Sequence, residues 1–130
     1  MRLCSIASGS SGNCIYVGSE ATHLLVDAGV SGKRTESGLK QLGLTGRDID
    51  GILVTHEHSA HISGLGALVR KYGIPIYATA GTIQAMKSCT QLGRVEEELF
   101  HPVQDDRKLV IKDLTINPMR ISHDAAQPVG

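Results

Sequence analysis

Apolar residues fall in short runs separated by polar and glycine-rich breaks, and the period of each run predicts its element. Three β-type runs open the chain: Arg2–Ile6, Cys14–Gly18 and Thr22–Asp27. The first pair flanks "ASGSSGN", a Gly/Ser/Asn cluster that reads as a turn, and "SEA" joins the second pair at hairpin length. The segment "AGVSGKRTESGLKQLGL" then switches to helical spacing. Ser31 is placed to cap that helix, Leu39 and Leu42 share a face, and Gly43 marks the stop.

Ile52-Leu53-Val54 is an uninterrupted apolar run, which predicts a strand covered on both faces. A helix is predicted over Ile62 to Tyr72, with Leu65, Leu68 and Val69 inward. A short strand follows at Pro75–Ala78, then a helix from about Gly81 to Gln91. The stretch "RVEEELFHPVQDDRK" reads as a charged segment, and strands are predicted at Leu109–Ile111 and Leu114–Ile121. The order β-β-β-α-β-α-β-α-β-β implies an α/β fold: one mixed sheet with helices on it.

A length of 130 residues suits one domain with a real core and is too short for two. No apolar run approaches the roughly 20 residues of a membrane helix, and the apolar stretch at the N-terminus is too short for a signal peptide. Cys4, Cys14 and Cys89 form no disulfide framework and show no Cys-x-x-Cys spacing, so we expect free thiols in a cytoplasmic setting. The formal net charge is zero, which argues against a broad basic face. One Phe, three Tyr and no Trp leave little for base stacking.

The stretch "THEHSAHI" places three of the six histidines, His56, His58 and His61, within six positions at a strand–helix junction. Neutral imidazoles are good ligands for zinc and related ions, and the edge of a buried strand is where ligand chemistry gathers in α/β folds. Glu57, between two of them, points away on an extended strand end and reads as structural or solvent-facing. The turn Ser8, Gly9, Ser10, Ser11, Gly12, Asn13 has the composition of an anion nest as well as of a plain hairpin turn. No Gly-Lys-Ser/Thr follows it, so it is not a Walker A loop.

The segments "LLVDAG", "VTHEHSAHISG" and "ISHDAAQPVG", in that order, resemble the metallo-β-lactamase fold superfamily. "CSIASGSSGNCIYV" is similar to the start of its bacterial WalJ/YycJ-type branch of metal-dependent nucleases and phosphodiesterases. The resemblance implies an αββα sandwich, of which residues 1–130 look like the N-terminal half. It implies His56, His58 and His123 as ligands of a first metal, and His61 at a second. It implies that Asp27 is no ligand but accepts hydrogen bonds from the histidine loop. His23, His101 and Asp124 receive no role.

Two departures from the family pattern stand out. The motif's Asp falls on Ala60, and a methyl group ligates no cation. The change reads as inactivating, either an engineered substitution, the favoured reading, or the mark of a pseudo-enzyme. Segments that would supply a bridging Asp and a final His are not matched. The expected function is hydrolysis of a phosphodiester, with DNA the leading substrate and Zn2+ or Mn2+ the cofactor. At most one tightly held ion per chain is expected in place of two, and little or no turnover. The alternatives are a small ester or thioester hydrolase, or a non-catalytic metal-binding remnant. A half-sandwich would expose an apolar sheet face, so a homodimer burying it is also expected.

Overall fold

We describe a computed structural model of the chain, over residues 2–7, 12–55, 62, 64–89, 92–104 and 108–116. Its main element is a six-stranded sheet in the order β1-β2-β3-β4-β5-β6. The strands are β1 (Arg2–Ala7), β2 (Cys14–Gly18), β3 (His23–Val26), β4 (Gly51–Leu53), β5 (Ile76–Thr79) and β6 (Phe100–Val103). β1, β2 and β3 pair antiparallel, whereas β3 through β6 pair parallel. The parallel strands are connected through α1 (Gly32–Gln41), α2 (Leu65–Tyr72) and α3 (Ala80–Lys87).

Burial explains the patterning. Cys14, Tyr16, Leu25, Ile52, Ile76 and Ala78 point from the sheet into the main core, where they meet Leu39, Leu65, Leu68, Val69, Ile83 and Met86 from the helices. The opposite, outer face carries a smaller cluster. There the hairpin of β7 (Leu109–Ile111) and β8 (Leu114–Ile116) sets Ile111 and Leu114 against Leu24, with Leu53 and Tyr77 alongside. The hairpin tip is clasped to the β2–β3 turn. Ser19 Oγ lies 2.7 and 2.8 Å from the two Asp113 carboxylate oxygens, Thr22 Oγ1 also donates to Asp113, and Lys112 pairs with Asp50 at 2.7 Å.

The predicted strands and helices are found, with shifted ends. α1 is capped by Ser31, whose Oγ accepts from Arg34 N at 3.2 Å, and Gly43 follows it with a left-handed φ of 78°. α2 is described from Leu65, with Gly64 as its N-cap, and ends at Gly73 in the left-handed region. α3 stops at Lys87, short of the predicted Gln91, because Ser88 caps it. Three elements were missed: the segment read as merely charged contains a 3-10 turn, Glu97–Leu99, and strand β6, and a further 3-10 turn lies at Gly46–Asp48. β6 escaped notice because it is an edge strand. His101 and Pro102 are exposed on it, and a proline argues against a strand until one knows that no further strand must pair there. β8 is described only to Ile116, so the predicted extension to Ile121 lies outside the described residues.

Candidate metal and phosphate edge

The parallel strands all end at one edge of the sheet, and the chain crosses that edge after β3, β4 and β5. Since β1 runs with β3 and β2 against it, the turn between β1 and β2 reaches the same edge. A shared carboxyl-end edge is where open α/β sheets place their chemistry.

The segment from Asp27 to Ser31 joins the pieces. Asp27 is buried, 5% exposed, and sits in the left-handed region at φ 64°. Its carboxylate accepts from Thr55 N at 2.8 Å and from Thr55 Oγ1 at 2.7 Å. Thr55 immediately precedes the histidine run. Ala28 O accepts from Gly64 N at 2.8 Å, which fixes the start of α2. Gly29 N donates to Asn13 O at 2.8 Å, which fixes the end of the β1–β2 turn. Two glycines let these backbones approach. A Cβ on Gly64 would lie 1.8 Å from Val30 O, and one on Gly12 would lie 2.5 Å from Gly29 O. Gly12 therefore has a packing reason for being glycine.

On the next strand, Thr79 is buried at the end of β5 and caps α3. Its Oγ1 accepts from Thr82 N at 3.3 Å and lies 3.0 Å from Thr82 Oγ1. Thr55 and Thr79 were not singled out from the sequence. A threonine ahead of the histidine run was the available signal for the first. For the second it was a threonine three residues before another, where a helix begins.

His56, His58, Ala60, His61 and His123 lie outside the described residues, as do Ser8 through Ser11; Asp27, Gly12 and Asn13 lie within them. Among the described residues no group of three or more His, Cys, Asp and Glu could hold a metal ion. His23 and His101 are not brought together. His23 Nδ1 is 2.6 Å from the Tyr16 hydroxyl, and the His101 ring stacks on Tyr77 at 5.1 Å. A concavity lined by Val69, Arg70, Gly73, Arg94 and Leu99 lies at the far end of α2, away from this edge. No helix among the described residues is long and apolar enough to cross a membrane.

The donor chemistry of the unassigned run fits a metal. His56, His58 and His61 offer neutral nitrogen donors, and the strand end that leads into them is held by a buried carboxylate. A resident ion needs such support around its ligands.

Comparison with known proteins agrees on the family. The model of the metallo-β-lactamase superfamily matches residues 7–123. The chain is 46% identical over 124 residues to the exodeoxyribonuclease YycJ of Bacillus anthracis, covering 95% of this chain and 46% of that protein. It is 44% identical over 123 residues to the exodeoxyribonuclease WalJ of Streptococcus pneumoniae, again covering 95% and 46%. The chain thus spans about half the length of these relatives. Among solved structures, the B3 metallo-β-lactamase with an active-site glutamic acid superposes with a TM-score of 0.81 at 19% identity. That match covers 98% of this chain and 52% of the other, and it speaks for the fold alone. The matched sequence model, the mixed sheet and the shared topology together establish that the chain belongs to the metallo-β-lactamase superfamily.

Proposed function

We propose that the chain carries the N-terminal part of a metal-dependent phosphodiesterase acting on DNA in the manner of an exonuclease. The observation that carries this reading is the 46% identity to a curated exodeoxyribonuclease over nearly the whole chain. The Asp27–Thr55 link supports it, because it anchors the strand end from which His56 and His58 depart. In this reading His56, His58 and His123 hold one ion, Zn2+ or Mn2+, and His61 belongs to a second position. Bound there, divalent ions would polarise a phosphoryl oxygen and help to activate water.

The path of β8 favours His123 as a partner of the run. The hairpin tip is pinned at the far edge by Ser19, Thr22 and Asp50, so β8 leaves it toward the edge where Asp27 stands.

Ala60 stands where the family has its Asp, so we propose that the chain as it is has a second position weakened and hydrolysis lost. The test restores the carboxylate. Ala60→Asp, placed in a full-length relative-like context with manganese or zinc, is assayed on DNA and on a thioester panel. DNA cleavage supports the nuclease reading, thioester turnover replaces it, and inertness toward both contradicts it.

The outer sheet face bears on assembly. Leu3 is 75% exposed there, beside half-buried Val17, and Val110 of the hairpin is 64% exposed. We propose that a second copy of the chain covers this face. Sedimentation at micromolar concentration is expected to show a dimer; a clean monomer contradicts it.

A further inference from the structure

Gly12 and Asn13, the described residues of the glycine-serine turn, both press on one segment, Ala28 to Val30, which directly follows Asp27. On one side of it Gly29 N donates to Asn13 O at 2.8 Å, and buried Gly12 lies against Gly29 O and Val30 Cγ1. On the other side Gly64 N donates to Ala28 O at 2.8 Å, and Gly64 lies against Val30 O. A glycine on each flank lets three backbone stretches stack: the end of the β1–β2 turn, the residues after Asp27 and the start of α2.

The middle stretch has little room to yield. Ala28 and Val30 are buried. Beyond them Thr35 fixes Ser31 O, donating to it through its N–H and its hydroxyl, each at 3.0 Å. At the near end Asp27 carries its two bonds to Thr55. Close-packed backbone transmits a displacement and absorbs little of it. A push at Gly12 is therefore felt at Thr55 and Gly64, which stand before and after the histidine run.

We propose that Gly12 is a positioning residue of the metal edge. Through Gly29 and Val30 it sets where Asp27 holds Thr55 and where Ala28 holds Gly64. The proposal rests on the reading that the histidine run holds an ion, and it extends that site to a residue outside the histidine loop. The role requires glycine. A Cβ at Gly12 would lie 2.5 Å from Gly29 O and 2.8 Å from Val30 Cγ1, and a backbone carbonyl has no rotamer to retreat into. The Gly12 φ of 155° also strains any L residue there. A second variant therefore approaches the same contact from the opposite side. Val30→Ala removes the methyl that faces Gly12 and leaves the backbone of the turn unsubstituted.

The test compares Gly12→Ala, Val30→Ala and Gly32→Ala in the whole chain. Gly32 is the control. It opens α1 just past the segment, and a Cβ there has room, at 3.6 Å from Ala67 Cβ. Zinc affinity is read by competition with a chromophoric chelator, and amide hydrogen exchange is read on the zinc-free chain. We expect affinity to fall about tenfold in Gly12→Ala, the lower end for changes around a ligand shell, and about threefold in Val30→Ala. The Thr55 and Gly64 amides should exchange about tenfold faster. The Gly73 amide, bonded to Val69 O at the far end of α2, should keep its parent rate. Gly32→Ala should match the parent throughout. If Gly12→Ala does not fold, Val30→Ala decides alone. Parent-like affinity in either folded variant, or exchange that quickens at Gly73 as much as at Thr55 and Gly64, overturns the proposal and leaves the metal reading standing. A parent chain that binds no zinc overturns both.

Discussion

The Asp27 carboxylate grips Thr55 twice, through its backbone N–H at 2.8 Å and its hydroxyl at 2.7 Å. These residues stand just past the ends of the neighbouring parallel strands β3 and β4, and the second is the last before the histidine run. A buried carboxylate satisfied in this way is a fixed post, and whatever follows Thr55 inherits its position. Asp27→Asn retains one acceptor and tolerates the left-handed backbone, so a loss of about 1–2 kcal/mol is expected. Asp27→Ala should lose about 1 kcal/mol more. Zinc affinity should fall about 10–100-fold in either variant, by titration calorimetry. Unchanged affinity in Asp27→Ala would show that the post does not serve the histidines.

Arg34→Glu should stabilise the start of α1. It completes a capping box opened by Ser31 and removes a cation from the helix start, so stability should rise by about 0.5–1 kcal/mol. Chemical denaturation checks it, and a variant that loses stability refutes this reading of the cap.

Asp113 ties hairpin stability to pH. Hydrogen bonds from Thr22 and Ser19 hold its carboxyl below the usual aspartate value. A folded-state pKa that is depressed contributes stability above the unfolded pKa, and that stability is lost as pH falls through the folded value. The hairpin should therefore loosen only below the ordinary aspartate range. Asp113→Asn should flatten the acid limb of an unfolding profile followed by hydrogen exchange at Val110 and Thr115. An unchanged acid limb would contradict the clasp.

Cys14 should be inert. Burial pushes its thiol up to about 12, offset in part by a hydrogen bond with Thr35 and reinforced by the nearby Asp27 charge. Three pH units above an ordinary thiol cut the thiolate fraction roughly a thousandfold. Mass-resolved alkylation at mildly alkaline pH should modify half-buried Cys4 and Cys89 well before Cys14.

Most of the sheet was legible because a half-covered or fully covered strand announces itself by its apolar period. Ile52 and its neighbours are an example, as are the alternating Cys14, Tyr16 and Gly18. Helix starts were legible where a side chain does the capping, as at Ser31. β6 was not, since its identity depends on Ile76 and Tyr77 pairing with it across the chain. At the candidate edge, Asp27 stood out only through its motif. Its partner Thr55 needed the parallel register of β3 and β4, which no local pattern encodes. The glycines at 12 and 64 looked like turn residues, and their packing against residues 29 and 30 is a long-range fact.

The central claim is that His56, His58 and His123 converge on one cation at the edge fixed by Asp27 and Thr55. Elemental analysis after extensive dialysis, with zinc or manganese supplied beforehand, tests it most directly. We expect one ion per chain, lost in His56→Ala, His58→Ala and His123→Ala alike, and kept in His23→Ala and His101→Ala. A chain that retains no ion, or a His123→Ala variant that retains it as tightly as the parent, would contradict the account.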